Sequence, residues 1–432
     1  MKVAEHYWLE TLGCPKNQVD SDKLAGTLAA EGYVPAESPA DADLVVVNTC
    51  AFIEAARQES VDMVLELAAT RRGGARLVVT GCLAQRYGDE LAAAIPEVDM
   101  VAGFGVPVTL GVAKPVPTFD LLELPRPPVG APWAYLKVAE GCDRRCGFCA
   151  IPSFRGPQRS RPLDSVLAEV DELGGAVREV VLVAQDLASW GMDRASLHQG
   201  GRSAADSASR PLVGLTRELS ERVERVRLLY LYPSSLDEEL VSAILNTGVP
   251  YFDLSLQHVS RPLLARMRRF GNAELFLERI ESIRKADPEA TLRSSFILGY
   301  PGETEEDHDL LLEFIVQAEL DWAGFFTFSE EPGTHAAGFG SEVARVPEAL
   351  ALERLRECAE LQDALTARRR RDLVGTVQRV LVDSPGVARS HREAPEIDGI
   401  IEVPQDVPVG SFADVEVVEA MGTDLRARPV RG

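Results

Sequence analysis

The chain has 432 residues, enough for two or three domains, and its 46% hydrophobic content is that of a folded protein rather than a disordered one. A formal net charge of −22 argues against a long phosphate-rich partner, where each contact needs Lys or Arg, and suits a basic one. Seven cysteines, few and odd in number, argue against a disulfide framework and point to metal ligation or catalysis for any that cluster.

Met1–Glu10 lacks the basic start and apolar run of a signal peptide, and no stretch reaches the roughly 18 apolar residues of a membrane span. The expectation is a soluble, cytoplasmic protein with no membrane partner. Over residues 1–115 apolar runs at Tyr7–Leu12, Leu44–Val47 and Leu77–Thr80 alternate with helical stretches such as Ile53–Ala69. Strands separated by helices imply βαβ units and a parallel sheet. Residues 116–132 read as a proline-rich linker, since Pro117, Pro125, Pro127, Pro128 and Pro132 interrupt both helix and ladder.

From 133 to 365 the alternation resumes. Candidate strands are Ala134–Val138, Glu179–Ala184, Val226–Tyr230, Phe252–Gln257, Leu292–Leu298 and Trp322–Phe328. Six such units predict an open (β/α)6 barrel. Between Gly191 and Pro211 a Gly/Ser/Ala-rich stretch reads as a mobile surface insertion. Residues 366–432 begin at the basic helix end Arg368–Arg371. They continue as short β runs, Gln378–Val382, Gly399–Val403 and Ala413–Val418, which predict a small antiparallel barrel. The fold class is therefore α/β with a β-barrel tail.

The strongest chemical signal is Cys142, Cys146 and Cys149, spaced C-x3-C-x2-C directly after the strand ending at Val138. Soft thiolates on one loop are what an iron–sulfur cluster needs, and three of them leave the fourth iron of a cubane open to substrate. Structural zinc would want a fourth protein ligand, and no Cys or His lies nearby in the sequence. A second set, Cys14, Cys50 and Cys82, is dispersed. Each residue nevertheless follows a predicted strand at a strand-to-helix turn. In a parallel sheet those ends share one edge, with neighbouring strands about 5 Å apart, so the thiols can converge on a second cluster. The competing reading is three buried structural cysteines. Cys358, inside the helical pattern Glu353–Leu365, reads as a packed small hydrophobe.

The C-x3-C-x2-C motif, with aromatic Phe148 before its last cysteine, resembles the radical S-adenosylmethionine superfamily. Together with the second cysteine set and the β-rich tail, the whole chain resembles the methylthiotransferase family. That family joins an N-terminal methylthiotransferase domain, a radical S-adenosylmethionine domain and a C-terminal TRAM domain. Three strings resemble the branch acting on a ribosomal protein: Leu12-Gly13-Cys14-Pro15-Lys16-Asn17-Gln18-Val19-Asp20-Ser21, Ile151-Pro152-Ser153-Phe154-Arg155-Gly156 and Glu393-Ala394-Pro395-Glu396-Ile397-Asp398-Gly399.

The resemblance implies two 4Fe–4S clusters and S-adenosylmethionine as cofactors. It implies cleavage of S-adenosylmethionine to a 5′-deoxyadenosyl radical, and methylthiolation of an aspartate β-carbon in small-subunit ribosomal protein S-twelve. The alternative is a transfer-RNA methylthiotransferase with the same chemistry; a non-catalytic electron carrier would instead need fully ligated clusters. A reductant such as flavodoxin or ferredoxin is implied as partner. By the same resemblance Phe148, Gln185, Ser255, Arg293, Gly299 and Gly302 are candidates for binding S-adenosylmethionine, with Arg293 meeting its carboxylate and the glycines allowing close approach to the nucleoside. Asp186 and Gln257 stand beside Gln185 and Ser255 at the same strand ends. Residues 375–432 hold six Arg and no Lys against ten acidic residues, which suits docking of a basic ribosomal protein through the TRAM domain and does not favour nucleic acid as substrate.

Overall fold

The structure is a computed structural model and describes residues 5–109, 119–193 and 210–430. Most of the expected Gly191–Pro211 insertion, residues 194–209, lies outside the described residues. Among those described, no helix is long and apolar enough to cross a membrane.

The chain opens with a parallel five-stranded sheet built from β1 (His6–Thr11), β2 (Val34–Pro35), β3 (Leu44–Thr49), β4 (Arg76–Gly81) and β5 (Met100–Ala102), in the order β2-β1-β3-β4-β5. Its crossovers are α1 (Pro15–Ala30), α2 (Glu54–Thr70) and α3 (Cys82–Ala94). The central strands are apolar on both faces because both are covered. Val45, Val47, Leu77 and Val79 meet α2 and α3, whereas Leu44, Val46 and Val78 meet Leu24 and Leu28 of α1.

Six further parallel strands follow: β6 (Trp133–Lys137), β9 (Glu179–Val183), β10 (Arg225–Leu228), β11 (Tyr251–Gln257), β12 (Thr291–Leu298) and β13 (Trp322–Thr327). They form two three-stranded sheets, β10-β9-β6 and β11-β12-β13, joined by a parallel bridge between Leu231 and Leu254. Among the described residues no ladder joins β6 to β13, so the barrel is open, as expected. Between β6 and β9 a short antiparallel pair, β7 (Ala139–Glu140) with β8 (Arg159–Ser160), brackets the cysteine loop, α4 (Ile151–Arg155) included. The outer helices are α5 (Leu163–Leu173), α6 (Pro211–Ser220), α7 (Glu238–Leu245), α8 (Arg261–Arg266), α9 (Ala273–Ala286), α10 (Glu305–Ala318) and α11 (Glu348–Asp372). Alternation sorts the strand residues. Leu136, Leu182, Leu228, Phe252 and Leu292 pack under the helices, while Tyr135, Val181, Tyr251 and Trp322 turn inward.

The inward layer is completed by Val19 of α1 and by Ala394 of the tail. Three inward aromatics donate to the tail loop: Tyr135 Oη to Pro395 O at 2.8 Å, Trp322 Nε1 to Arg392 O at 2.7 Å and Tyr251 Oη to Asp398 Oδ2 at 2.6 Å. The tail barrel closes in the order β14-β15-β16-β18-β17, from β14 (Val377–Ser384), β15 (Val387–Arg389), β16 (Ile401–Glu402), β17 (Phe412–Met421) and β18 (Asp424–Pro429). One pair, β16 with β18, is parallel, so the expected all-antiparallel barrel is corrected there. The expected boundary at 365/366 also moves: α11 runs unbroken to Asp372, and β structure starts at Val377. The described part of the proline-rich linker is packed rather than free, with Leu121 and Leu122 buried and Lys23 Nζ donating to the Leu122 and Leu124 carbonyls, both at 2.9 Å.

Candidate functional site: two cysteine centres across a domain junction

Cys14, Cys50 and Cys82 stand just beyond the carboxyl ends of β1, β3 and β4, which are neighbours in the sheet. The strand order, not the sequence separation, brings the three thiols together. Their loops are interlocked by Asn17, whose side-chain amide donates to Leu12 O at 2.9 Å and Thr49 O at 3.0 Å. Asn48 answers by donating to Asn17 O at 2.9 Å, and Ser60 Oγ accepts from the Cys50 N–H at 3.1 Å. Gly81, just before Cys82, has φ 89° and ψ −159°; a Cβ there would lie 2.3 Å from Asn48 Oδ1. Only glycine tolerates that backbone and that approach.

The second centre is the loop from Gly141 to Gln158. Cys142 N–H donates to Gly156 O at 3.1 Å, and the loop tip is tied down on both sides. Gly147 N–H donates to Met267 O at 2.7 Å and Ala336 N–H to Gly147 O at 2.8 Å. Donors surround the sulfurs. The Arg144 N–H lies 3.4 Å from Cys142 Sγ, and Arg269 Nη1 lies 3.5 Å from Cys146 Sγ. Both guanidinium groups also stand over the Tyr232 ring, at 4.0 and 3.8 Å from its centroid. Arg144 is held in turn by Asp186 Oδ2 at 2.6 Å. The sequence does not mark Arg144, Arg269 or Tyr232, because the partners of their side chains lie far along the chain.

Burial pushes the Cys50 and Cys149 thiols up to about 12 and that of Cys142 up to about 11. Burial likewise raises Cys82. For Cys14 burial acts in the same direction, yet the Lys16 and Arg155 charges bring the thiol below its ordinary value. Iron ligands are thiolates, so loading such loops releases protons.

Among the described residues no three Cys, His, Asp or Glu side chains close on one point as ligands of a single ion would. Two sets of three thiols, each with N–H donors and cationic side chains aimed at the sulfurs, instead fit an anionic iron–sulfur cluster with its ligands spread over different irons. Cys358 belongs to neither set and packs in the barrel core.

The expected S-adenosylmethionine residues divide. Phe148 packs at the edge of the barrel core beside Cys149. Gln185 donates to Glu140 Oε1 at 3.0 Å, while its own Oε1 is buried without a partner among the described residues, an acceptor open to a ligand N–H or O–H. The Ser255 carbonyl accepts from Arg269, which ties that strand end to the cysteine loop. Nearby, Tyr230 and Gln257 carry positive φ of 64° and 72°, uncommon for such residues and frequent at functional strand ends.

Arg293 is a correction. It lies near the start of β12, paired with Asp253 at 2.9 Å and Asp398 at 3.5 Å, so it fastens the tail instead of facing a carboxylate ligand. The two glycines are a second correction. A Cβ on Gly299 would sit 2.6 Å from Ala351 Cβ, and one on Gly302 would sit 2.9 Å from Arg266 Nη1. Their freedom serves protein packing, because the space beside them is filled by α11 and Arg266.

The two centres meet across the junction between the first sheet and the barrel. Lys16 Nζ, two residues past Cys14, stands 3.5 Å from the Tyr230 ring centroid at the end of β10. Arg155, from α4, reaches Cys82 Sγ at 3.1 Å. In the sequence Arg155 stands within the Ile151–Gly156 string, and its position six residues after Cys149 is the signal available for it.

Over residues 6–103 the chain matches the uncharacterized protein family UPF0004, over 136–315 the radical SAM superfamily, and over 374–430 the TRAM domain. It is 41% identical, across 95% of each chain, to the ribosomal protein uS12 methylthiotransferase RimO of Moorella thermoacetica. Its identity to the protein of the same name from Cutibacterium acnes is 40% across 99% of each chain. Among solved structures it is similar to the radical S-adenosylmethionine methyltransferase TsrM from Kitasatospora setae, with TM-score 0.49 and 17% identity, covering 74% of this chain and 73% of that one.

Proposed function

The chain belongs to the RimO family of ribosomal protein uS12 methylthiotransferases, and from that premise we propose how its two cysteine centres divide the reaction. It is a radical S-adenosylmethionine methylthiotransferase. In this reading Cys142, Cys146 and Cys149 hold one 4Fe–4S cluster and Cys14, Cys50 and Cys82 a second, with the substrate an aspartate β-carbon of uS12. When bound, the clusters and S-adenosylmethionine supply a 5′-deoxyadenosyl radical and the sulfur that becomes the methylthio group.

The protein's own contributions follow from the geometry. The Arg144 backbone N–H donates to the Cys142 sulfur, and the Arg269 guanidinium screens the negative charge of the Cys146 sulfur. Gln185 Oε1, fixed by the bond from its amide to Glu140, accepts from a polar group of S-adenosylmethionine. Gln257 and Tyr230 line the strand ends where the aspartate side chain is held between the two centres. Positioning of this kind sets how often a radical meets the intended C–H bond. The acidic tail, with six Arg against ten Asp and Glu, receives the basic ribosomal protein, and a flavodoxin or ferredoxin supplies the electron.

What carries the reading is one observation: three thiols on adjacent strand ends are linked across the junction, through Arg155 at Cys82, to the segment that carries the three-thiol loop. Mass spectrometry of ribosomal proteins and transfer RNA, from cells with and without this protein, tests it. The expected result is one methylthio group in place of hydrogen on an aspartate of uS12. A methylthiolated transfer-RNA base with unmodified uS12 overturns the substrate and leaves the chemistry standing. Reconstituted protein should hold about eight irons, and Cys142→Ala about four with no S-adenosylmethionine cleavage.

A further inference from the structure

Arg155 ends α4, the short helix that begins two residues after Cys149, and its side chain is 3% exposed. Its two terminal nitrogens share Asp20 Oδ2, at 3.3 and 3.4 Å, and otherwise meet different partners. Nη1 donates to both oxygens of Glu140 at 3.0 and 2.9 Å and lies 3.3 Å from Asp20 Oδ2. Nη2 donates to Asn17 Oδ1 at 2.7 Å and lies 3.1 Å from Cys82 Sγ. Glu140 is two residues before Cys142, and Asn17 is the residue that interlocks the loops of the first centre. A side chain supplied by the barrel therefore touches a ligand candidate of the other unit, while its carboxylate partner sits beside the barrel's own cysteines.

We propose that Arg155 is a positioning residue that completes the first centre from the barrel side. It donates a charge-assisted N–H···S hydrogen bond to Cys82 and favours the reduced state of the cluster held there. The proposal rests on the reading that Cys14, Cys50 and Cys82 hold a cluster. Adding an electron makes the cysteine sulfurs more negative, and a cationic donor stabilises that state more than the oxidised one. With the guanidinium away from water, the effect is weakly screened. The first cluster then reaches its working potential only when the two units are docked.

The test uses the full chain with Cys142→Ala, so that only the first centre can hold iron, and follows the cluster signal by electron paramagnetic resonance during a redox titration. Arg155→Met alone would leave the buried Asp20 and Glu140 carboxylates sharing Lys137, the one cation still in ion-pair contact with them among the described residues. The charge-balanced pair Arg155→Met with Asp20→Asn is therefore compared with Asp20→Asn alone. The reduction equilibrium should move at least tenfold toward the oxidised form, about 59 mV for one electron. Arg155→Lys, which keeps the charge and loses the fork, should fall between the two. Equal potentials in all these proteins overturn the proposal with the cluster reading intact. Loss of iron from the charge-balanced variant with its fold preserved also overturns it, reducing Arg155 to a mechanical support. Absence of iron from the Cys142→Ala protein itself rejects the underlying reading instead.

Discussion

Glu331 is expected to clamp the first sheet onto the barrel, and its neutral isostere should loosen that junction by a measurable amount. It lies in the loop after β13, with its side chain 1% exposed. Its Oε2 accepts from Arg57 Nη1 of α2 at 2.5 Å and from Arg86 Nη1 of α3 at 2.7 Å, and Ser329 Oγ donates to Oε1 at 2.7 Å. Glu331→Gln keeps the shape and leaves two largely buried guanidinium groups without their shared anion. Breaking a buried pair from one side costs about 3–5 kcal/mol. Arg57 retains Glu54, and Arg86 retains the Ala51 carbonyl at 3.1 Å, so the lower end applies. About 3 kcal/mol is roughly two decades in the docking equilibrium. Hydrogen exchange can read this at one amide. The Glu54 N–H is at the first turn of α2, without a helical acceptor, and donates to Ser329 Oγ at 3.1 Å across the junction. Its protection should fall about a hundredfold. Deoxyadenosine formed per methylthiolated product should rise, because the radical is made while its target is misplaced. Unchanged protection at Glu54 would refute the clamp.

Gly81→Ala forces an L side chain into a glycine-only backbone region, of order 1–3 kcal/mol of strain beside Cys82, so iron should drop from about eight toward about four while S-adenosylmethionine cleavage survives. His258 is fully buried, its Nδ1 accepts the Ser260 N–H at 3.0 Å, and burial lowers its pKa from 6.5 to about 4. The unfolded chain therefore binds the extra proton first. Stability contributed by neutral His258 is whole above pH 6.5 and lost as pH falls toward 4, by about 3 kcal/mol in total, and His258→Asn should flatten that part of a urea-midpoint profile. Ending the chain at Asp372 strands buried Glu179 from Arg389 and Arg370 from Glu393, so the truncated barrel should melt well below the full protein; equal melting temperatures would show the tail to be a detachable appendage.

Which residues were legible beforehand follows from how local their signals are. Cys142, Cys146 and Cys149 share one short loop, so their spacing alone brings them together. Cys14, Cys50 and Cys82 were legible as a pattern of strand ends, but their meeting depends on β1, β3 and β4 being neighbours, an order that no local signal encodes. Arg293, Gly299 and Gly302 were misplaced for the converse reason. A strand position or a glycine looks the same in sequence whether the space before it is open or filled by Asp398, Ala351 or Arg266. Acidic residues of the tail are similarly divided: Glu416 pairs with Arg428, and Glu402 and Glu419 with Arg426, within the tail itself.

By itself, then, the sequence determined the three architectures, because alternation of apolar residues and the choice of turn residues act within a few positions. It also determined the donor chemistry, because thiolate count and spacing are properties of short strings. The tertiary structure alone decided that Arg155 meets Cys82, that Glu331 meets Arg57 and Arg86, and that Asp398 of the tail meets Tyr251. These are pairings of charged or polar groups separated by 73 to 274 residues. Their energies appear only when burial removes both partners from water, and which groups are buried together is settled by the packing of whole units.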